Sequence, residues 1–116
     1  FNNVMVSAQL QINKSNMETI KNAFMRYYFV TQDDPPTVPE NNLLDSEYKD
    51  LVLPDGRTPD NLFNGKDGLP YNSNGDPYSY YLESDTNSTG IISRTITIKD
   101  MNTDSPSYEE YVIGGI

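Results

Sequence analysis

The opening thirty positions carry the hydrophobic pattern of one helix face. Val6, Leu10, Met17, Ile20, Phe24 and Tyr27 recur at alternating steps of four and three, with Asn13 the one polar residue on the stripe. Met5, Ala8, Ile12 and Ala23 widen the stripe on the same side, while Lys14, Glu18, Lys21 and Arg26 lie off it. The spacing predicts a helical stem over residues 1–32, with Lys14 and Glu18 as an i,i+4 pair worth about 0.3 kcal/mol. Asp33-Asp34-Pro35-Pro36 ends the stem, because Pro35 forces Asp34 out of the helical region. Such a helix is long against a usual mean of about 11–12 residues. The expectation is that it continues upstream of Phe1.

Residues 33–76 read as an anchored loop region. Pro39, Pro54, Pro59 and Pro70, with the pairs Asp55-Gly56, Asn64-Gly65, Asp67-Gly68 and Asn74-Gly75, are turn signals. Leu43, Leu44, Tyr48, Leu51, Leu53, Leu62 and Phe63 recur through it and are expected to pin it onto the helix, with a short helical turn over 45–51. Residues 77–116 read as an antiparallel meander. Tyr78, Tyr80 and Leu82 alternate with Ser79, Tyr81 and Glu83, and Ile92, Ile96 and Ile98 alternate with polar residues, Arg94 alone breaking the apolar face. Tyr108–Ile113 is a third run, closed by Gly114-Gly115; the polar stretches 84–90 and 100–107 suit hairpin connections. A meander needs a cover for its apolar face, and the helix stripe is large enough. The fold class expected is α+β, a single domain over 1–116 with a long N-terminal helix packed on a three- to four-stranded antiparallel sheet.

Composition narrows the chemistry. The 116 residues contain no Cys and no His, which removes thiol nucleophiles, disulfides, thiolate zinc sites and imidazole bases. The net charge is −9, and it disfavours nucleic acid as a partner. The first thirty residues set Lys14, Lys21 and Arg26 against Glu18, a balance of +2, so the remainder carries −11. An acidic head on a basic stem is expected to meet basic partner surfaces in contacts that weaken with salt, Asp60, Asp67, Asp76 and Asp85 being the candidates on loops. No Ser-Lys or Gly-x-Ser-x-Gly context occurs. A helix-on-meander plan this small also offers little depth for a carboxylate pair. The expectation is a protein without catalytic residues.

Two segments have the spacing of calcium loops. Asp100-x-Asn102-x-Asp104, with Glu109 and Glu110 close behind, alternates oxygen-bearing side chains as a Ca²⁺ site requires, although Ser105 and Pro106 depart from the EF-hand pattern. The competing reading is a polar turn with Asx-type local hydrogen bonds. Asp85-x-Asn87-x-Thr89-Gly90 matches the opening of such a loop but has Ile96 where a closing Glu belongs, so a hairpin loop suffices. Asn64-Gly65-Lys66-Asp67-Gly68 reads as a pair of turns. Tyr71, Tyr78, Tyr80 and Tyr81 invite a sugar-binding reading, but alternation sends Tyr78 and Tyr80 to the core and Tyr81 to solvent. The triplets Asn13-Lys14-Ser15 and Asn87-Ser88-Thr89 match the glycosylation acceptor pattern and are given no function.

The segment Ile20-Lys21-Asn22-Ala23-Phe24-Met25-Arg26-Tyr27-Tyr28, followed by Pro35-Pro36, resembles the helix end of type IV pilins and type II secretion pseudopilins. Asn74-Gly75-Asp76-Pro77-Tyr78-Ser79-Tyr80-Tyr81 is similar to that family's Trp-Gly-x-Pro-Tyr-x-Tyr entry into the first strand, with Asn74 where Trp is usual. The family's cleavage site and apolar run of about twenty residues do not occur in this sequence. The resemblance implies that a missing N-terminal half-helix anchors the chain in a bacterial inner membrane before assembly. The chain would then be the soluble head of a periplasmic or cell-surface filament, partnered by other pilin or pseudopilin subunits. It also favours calcium at Asp100, Asn102, Asp104, Glu109 and Glu110, because some pseudopilins bind calcium between their last strands. The rival expectation is a monomeric extracellular ligand- or carbohydrate-binding module of a surface protein.

Overall fold

A computed structural model describes residues 2–37, 42–45, 48, 51–53, 60–63 and 68–116, with backbone alone for 2–4, 52–53 and 60–61. Pro39, Pro54, Pro59, the Asp55-Gly56 and Asn64-Gly65 turns, Asp67, and the side chains of Leu53 and Asp60 lie outside the described residues. The architecture is α+β: one N-terminal helix against a three-stranded antiparallel sheet, with a two-stranded ladder beside them. The elements are α1 (Asn2–Thr31), β1 (Val52–Leu53), β2 (Asp60–Asn61), β3 (Ser79–Thr86), β4 (Ile92–Lys99) and β5 (Tyr111–Gly115).

Helix α1 follows its stripe. Asn13, Met17, Ile20 and Phe24 are fully buried, and α1 packs across β4 and β5. The helix stops as the prolines require: the Gln32 amide bonds the Tyr28 carbonyl from a left-handed residue (φ 59), and Asp33 is held by the Thr31 hydroxyl. The cover is not continuous. Towards the N-terminus Met5, Val6 and Ile12 are about half exposed, at 50%, 48% and 56%. One expected contact is replaced. Lys14 pairs with Glu110 at 3.6 Å, whereas Glu18 is held by Lys21 at 2.6 Å, because the 100–110 loop packs beside Asn13 and brings Glu110 to Lys14.

The sheet has the order β3-β4-β5, all antiparallel, with Tyr80 opposite Ile98, Leu82 opposite Ile96, and Ile98 opposite Val112. These residues face α1. Phe24 stacks on Tyr80 (4.2 Å, 8°) and meets Tyr48 and Phe63 edge-on, so the loop anchors close over the same core. Arg94, the break in the apolar face, lies at the end of the sheet near the end of α1. There its guanidinium covers the Tyr28 ring (4.9 Å), donates to the Tyr28 hydroxyl and ion-pairs with Asp34.

Two boundaries differ from the sequence pattern. Residues 84–86 continue β3, leaving a tight hairpin in which Asn87 Oδ1 accepts from the amides of Thr89 and Ile91 and Gly90 takes φ +84. Residues 108–110 belong to the preceding turn, and β5 instead runs through Gly114 and Gly115. A Cβ at Gly114 would lie 2.8 Å from Met25 Sδ and 2.9 Å from Lys21 Cδ, so glycine lets the helix rest on the strand there. In the loop region, Tyr48 and Leu51 close successive turns on Asp45 and Tyr48, while residues 46–47 and 49–50 lie outside the described residues. The β1–β2 ladder had no signal in a stretch dominated by turn residues. Among the described residues, no helix is long and apolar enough to cross a membrane.

Candidate functional site

The polar residues of greatest interest gather where α1, the 71–77 loop and the 100–110 loop meet. Asp100 is fully buried, and four groups of this chain donate to its carboxylate. Oδ1 accepts the Asn102 amide (3.0 Å) and Asn72 Nδ2 (3.3 Å), while Oδ2 accepts the hydroxyls of Ser105 (2.6 Å) and Ser107 (2.5 Å). Hydrogen bonds to a charged acceptor are worth about 1.5–3 kcal/mol each, and they offset the cost of removing the carboxylate from water. Asn13 extends the network into the helix. Its amide donates to Ser107 (3.0 Å), Ser105 and Ser73, and its Oδ1 accepts from the Ser73 amide (2.9 Å) and the Tyr78 hydroxyl. Burial pushes the Tyr78 phenol up to about 12, Asn16 opposing the rise and the Asp100 charge adding to it.

The five residues with calcium-loop spacing are placed as follows. Asp100 faces inward. Asn102 makes Asx turns with both neighbours, its amide on Asp100 Oδ1 and its Oδ1 accepting the Asp104 amide (3.1 Å), and its Nδ2 donates to Asp76 Oδ2 at 2.8 Å. Asp104 is exposed, Glu109 is exposed at φ 68, and Glu110 sits with Lys14. The structure thus joins Asp100 and Asn102 to one another and to Asp76, and turns the other three carboxylates away from Asp100. Among the described residues, no group of three or more Asp or Glu side chains is gathered to hold a metal ion. Asp85 lies in β3 opposite Ser93. Of the four tyrosines, Tyr78 and Tyr80 are core, Tyr81 is half-buried and Tyr71 is exposed, so they form no continuous platform.

Beside the network a cleft of about 220 Å³ opens to solvent, lined by Leu43, Pro77 and Met101 with Asp76 and Asn102 at its polar end. Leu43 comes from the segment that runs along the outer edge of β3, where Asn42 and Leu43 bond to Tyr80 and pair with Ser79. Asp76 is set by its own loop: its amide donates to Asn72 Oδ1 and its carbonyl accepts the Asn72 amide. Sequence spacing does not reveal Asn72, Ser105 or Ser107. The one available signal was Asn13, a polar residue on an otherwise apolar stripe. Comparison with known proteins finds no matching family model, no matching curated protein and no matching solved structure.

Proposed function

We propose that this protein is a non-catalytic structural subunit of a helical filament of the type IV pilin or type II secretion pseudopilin kind. The observation that carries the reading is the uneven cover of α1. Its stripe is buried at Asn13, Met17, Ile20 and Phe24, whereas Met5, Val6 and Ile12 towards the N-terminus each leave about half of their surface in water. An apolar helix face that the domain itself does not cover gains most by packing against the same face of other copies. The helix-on-meander plan is the one the family resemblance implies. Partners are then further subunits, with the inner membrane as the site before assembly and the periplasm or cell surface as the destination.

Cysteine substituted for Val6 in the product of the whole gene, expressed in its own host, tests this directly, since the sequence has no other Cys. Cross-linking between subunits in a high-molecular-weight fraction is expected. A monomeric product, or a polar coding sequence upstream of Phe1, overturns the reading. Calcium at the 100–110 loop is part of the same proposal, with Asp100 exchanging its hydroxyl donors for the ion. A rise in melting temperature at millimolar calcium, reversed by a chelator, is expected, and an unmoved midpoint removes it.

A further inference from the structure

We infer that the Asp76 cleft receives the side chain of Lys14 from an adjacent copy, in a side-by-side, head-to-tail contact; the inference rests on the filament reading. The cleft has a lining that suits a lysine. Its walls, Leu43, Pro77 and Met101, are apolar and suit a four-carbon stem, and a carboxylate stands at the polar end. Asp76 makes no ion pair among the described residues, and its Oδ2 is already occupied by Asn102 Nδ2. One oxygen is left, which matches the point charge of an ammonium better than the two-pronged guanidinium of arginine.

Charge and position select the donor. The stem is net basic, with Lys14, Lys21 and Arg26 against Glu18. Lys21 is held by Glu18 at 2.6 Å, whereas Lys14 lies 3.6 Å from Glu110 with both side chains nearly half exposed. An exposed pair of that kind contributes little, so Lys14 can exchange partners at small cost. In a bundle of parallel stems, lateral neighbours meet at similar heights along the helix. Asp76 shares a loop with Ser73, whose amide bonds Asn13, one residue from Lys14. The cleft reaches from the outer edge of β3, at Leu43, to the first residues of the 100–110 loop, Met101 and Asn102, while Lys14 sits with Glu110 at the far end of that loop. A knob and a socket at separate places on one surface make a heterologous contact, which propagates along a filament when the rotation between copies does not close.

The test uses the whole-gene product in its own host. A chain with Lys14→Cys and Asp76→Cys is expected to give a ladder of oxidised oligomers, and co-expressed single-cysteine chains to give only the mixed dimer. Asp76→Lys alone and Lys14→Asp alone are each expected to lower polymer yield at least about tenfold, and the two together to restore it. Circular dichroism melts of the single variants that match the parent separate lost contact from lost folding. If Val6→Cys chains cross-link in polymer while the double-cysteine chain forms no disulfide between subunits and the double reversal gives no rescue, the inference fails and the filament reading stands. If Val6→Cys also fails to cross-link, both fall.

Discussion

The helix–sheet interface is held by different forces at its two ends. Around Phe24 the contact is dry and aromatic, with Tyr80 stacked beneath the ring and Tyr48 and Phe63 against its edges. Around Asn13 it is polar, a chain of amides and hydroxyls leading to the buried carboxylate of Asp100. The apolar end supplies most of the hydrophobic free energy, and many side chains of similar volume would serve there. The polar end has a directional requirement at every atom, so it discriminates among arrangements of the same loops.

The largest expected effect is at the aromatic end. Phe24→Ala should lower the unfolding free energy by about 4 kcal/mol in denaturant titration, since a cavity opens among three rings. Next is Asp100→Ala, which leaves the Ser105 and Ser107 hydroxyls buried without their acceptor. A loss of about 2–3 kcal/mol is expected, and a loss near zero would show that the network contributes no stability.

Alkaline titration reaches both ends. The unfolded Tyr78 phenol ionises near its ordinary value of 10.0, while the folded one holds its proton to about 12. Above pH 10 the folded state therefore binds more protons than the unfolded state, and stability falls as pH rises through about 12. Tyr78→Phe should flatten that part of the stability curve. Burial raises the Tyr80 phenol as well, with Tyr48 and Asp34 adding to the shift, so this residue acts in the same direction. The smallest effect belongs to Tyr80→Phe. The Tyr80 hydroxyl is buried with no hydrogen-bond partner among the described residues, so its removal should leave the melting midpoint unchanged or raise stability by up to about 1 kcal/mol.

The elements were legible where one periodicity ran unbroken. The three-four alternation through residues 6–27 and the two-residue alternation of β3 and β4 mark a single face each, and the structure buries those faces at Met17, Ile20, Phe24, Tyr78, Tyr80, Ile96 and Ile98 while leaving Val6 and Ile92, at their ends, about half exposed. Legibility ended where a residue's role depends on a partner distant in sequence. Asn13 looks like a flaw in the stripe until Ser73 and Ser107, 60 and 94 residues away, supply its partners. Gly114 resembles a strand terminator until Met25 and Lys21 fill the space above it. Lys14 has an ideally spaced Glu18, yet a loop brings Glu110 nearer. The Asp100 spacing was visible as a polar turn with alternating oxygens, but spacing alone does not say whether a carboxylate points out towards an ion or in towards hydroxyls.

Asn13 also acts as an axial stop. Sliding the helix by one turn, about 5.4 Å, would bring Leu10 or Met17, its neighbours along the stripe, against the Ser105 and Ser107 hydroxyls, where neither can hydrogen-bond. The rod is thereby locked lengthwise in its seat, and the same lock dictates how many turns stand proud of the globe. In the filament proposed above, that overhang would set how far each globe stands from its neighbours' stems, so one amide in the interior would help determine a dimension of the assembly.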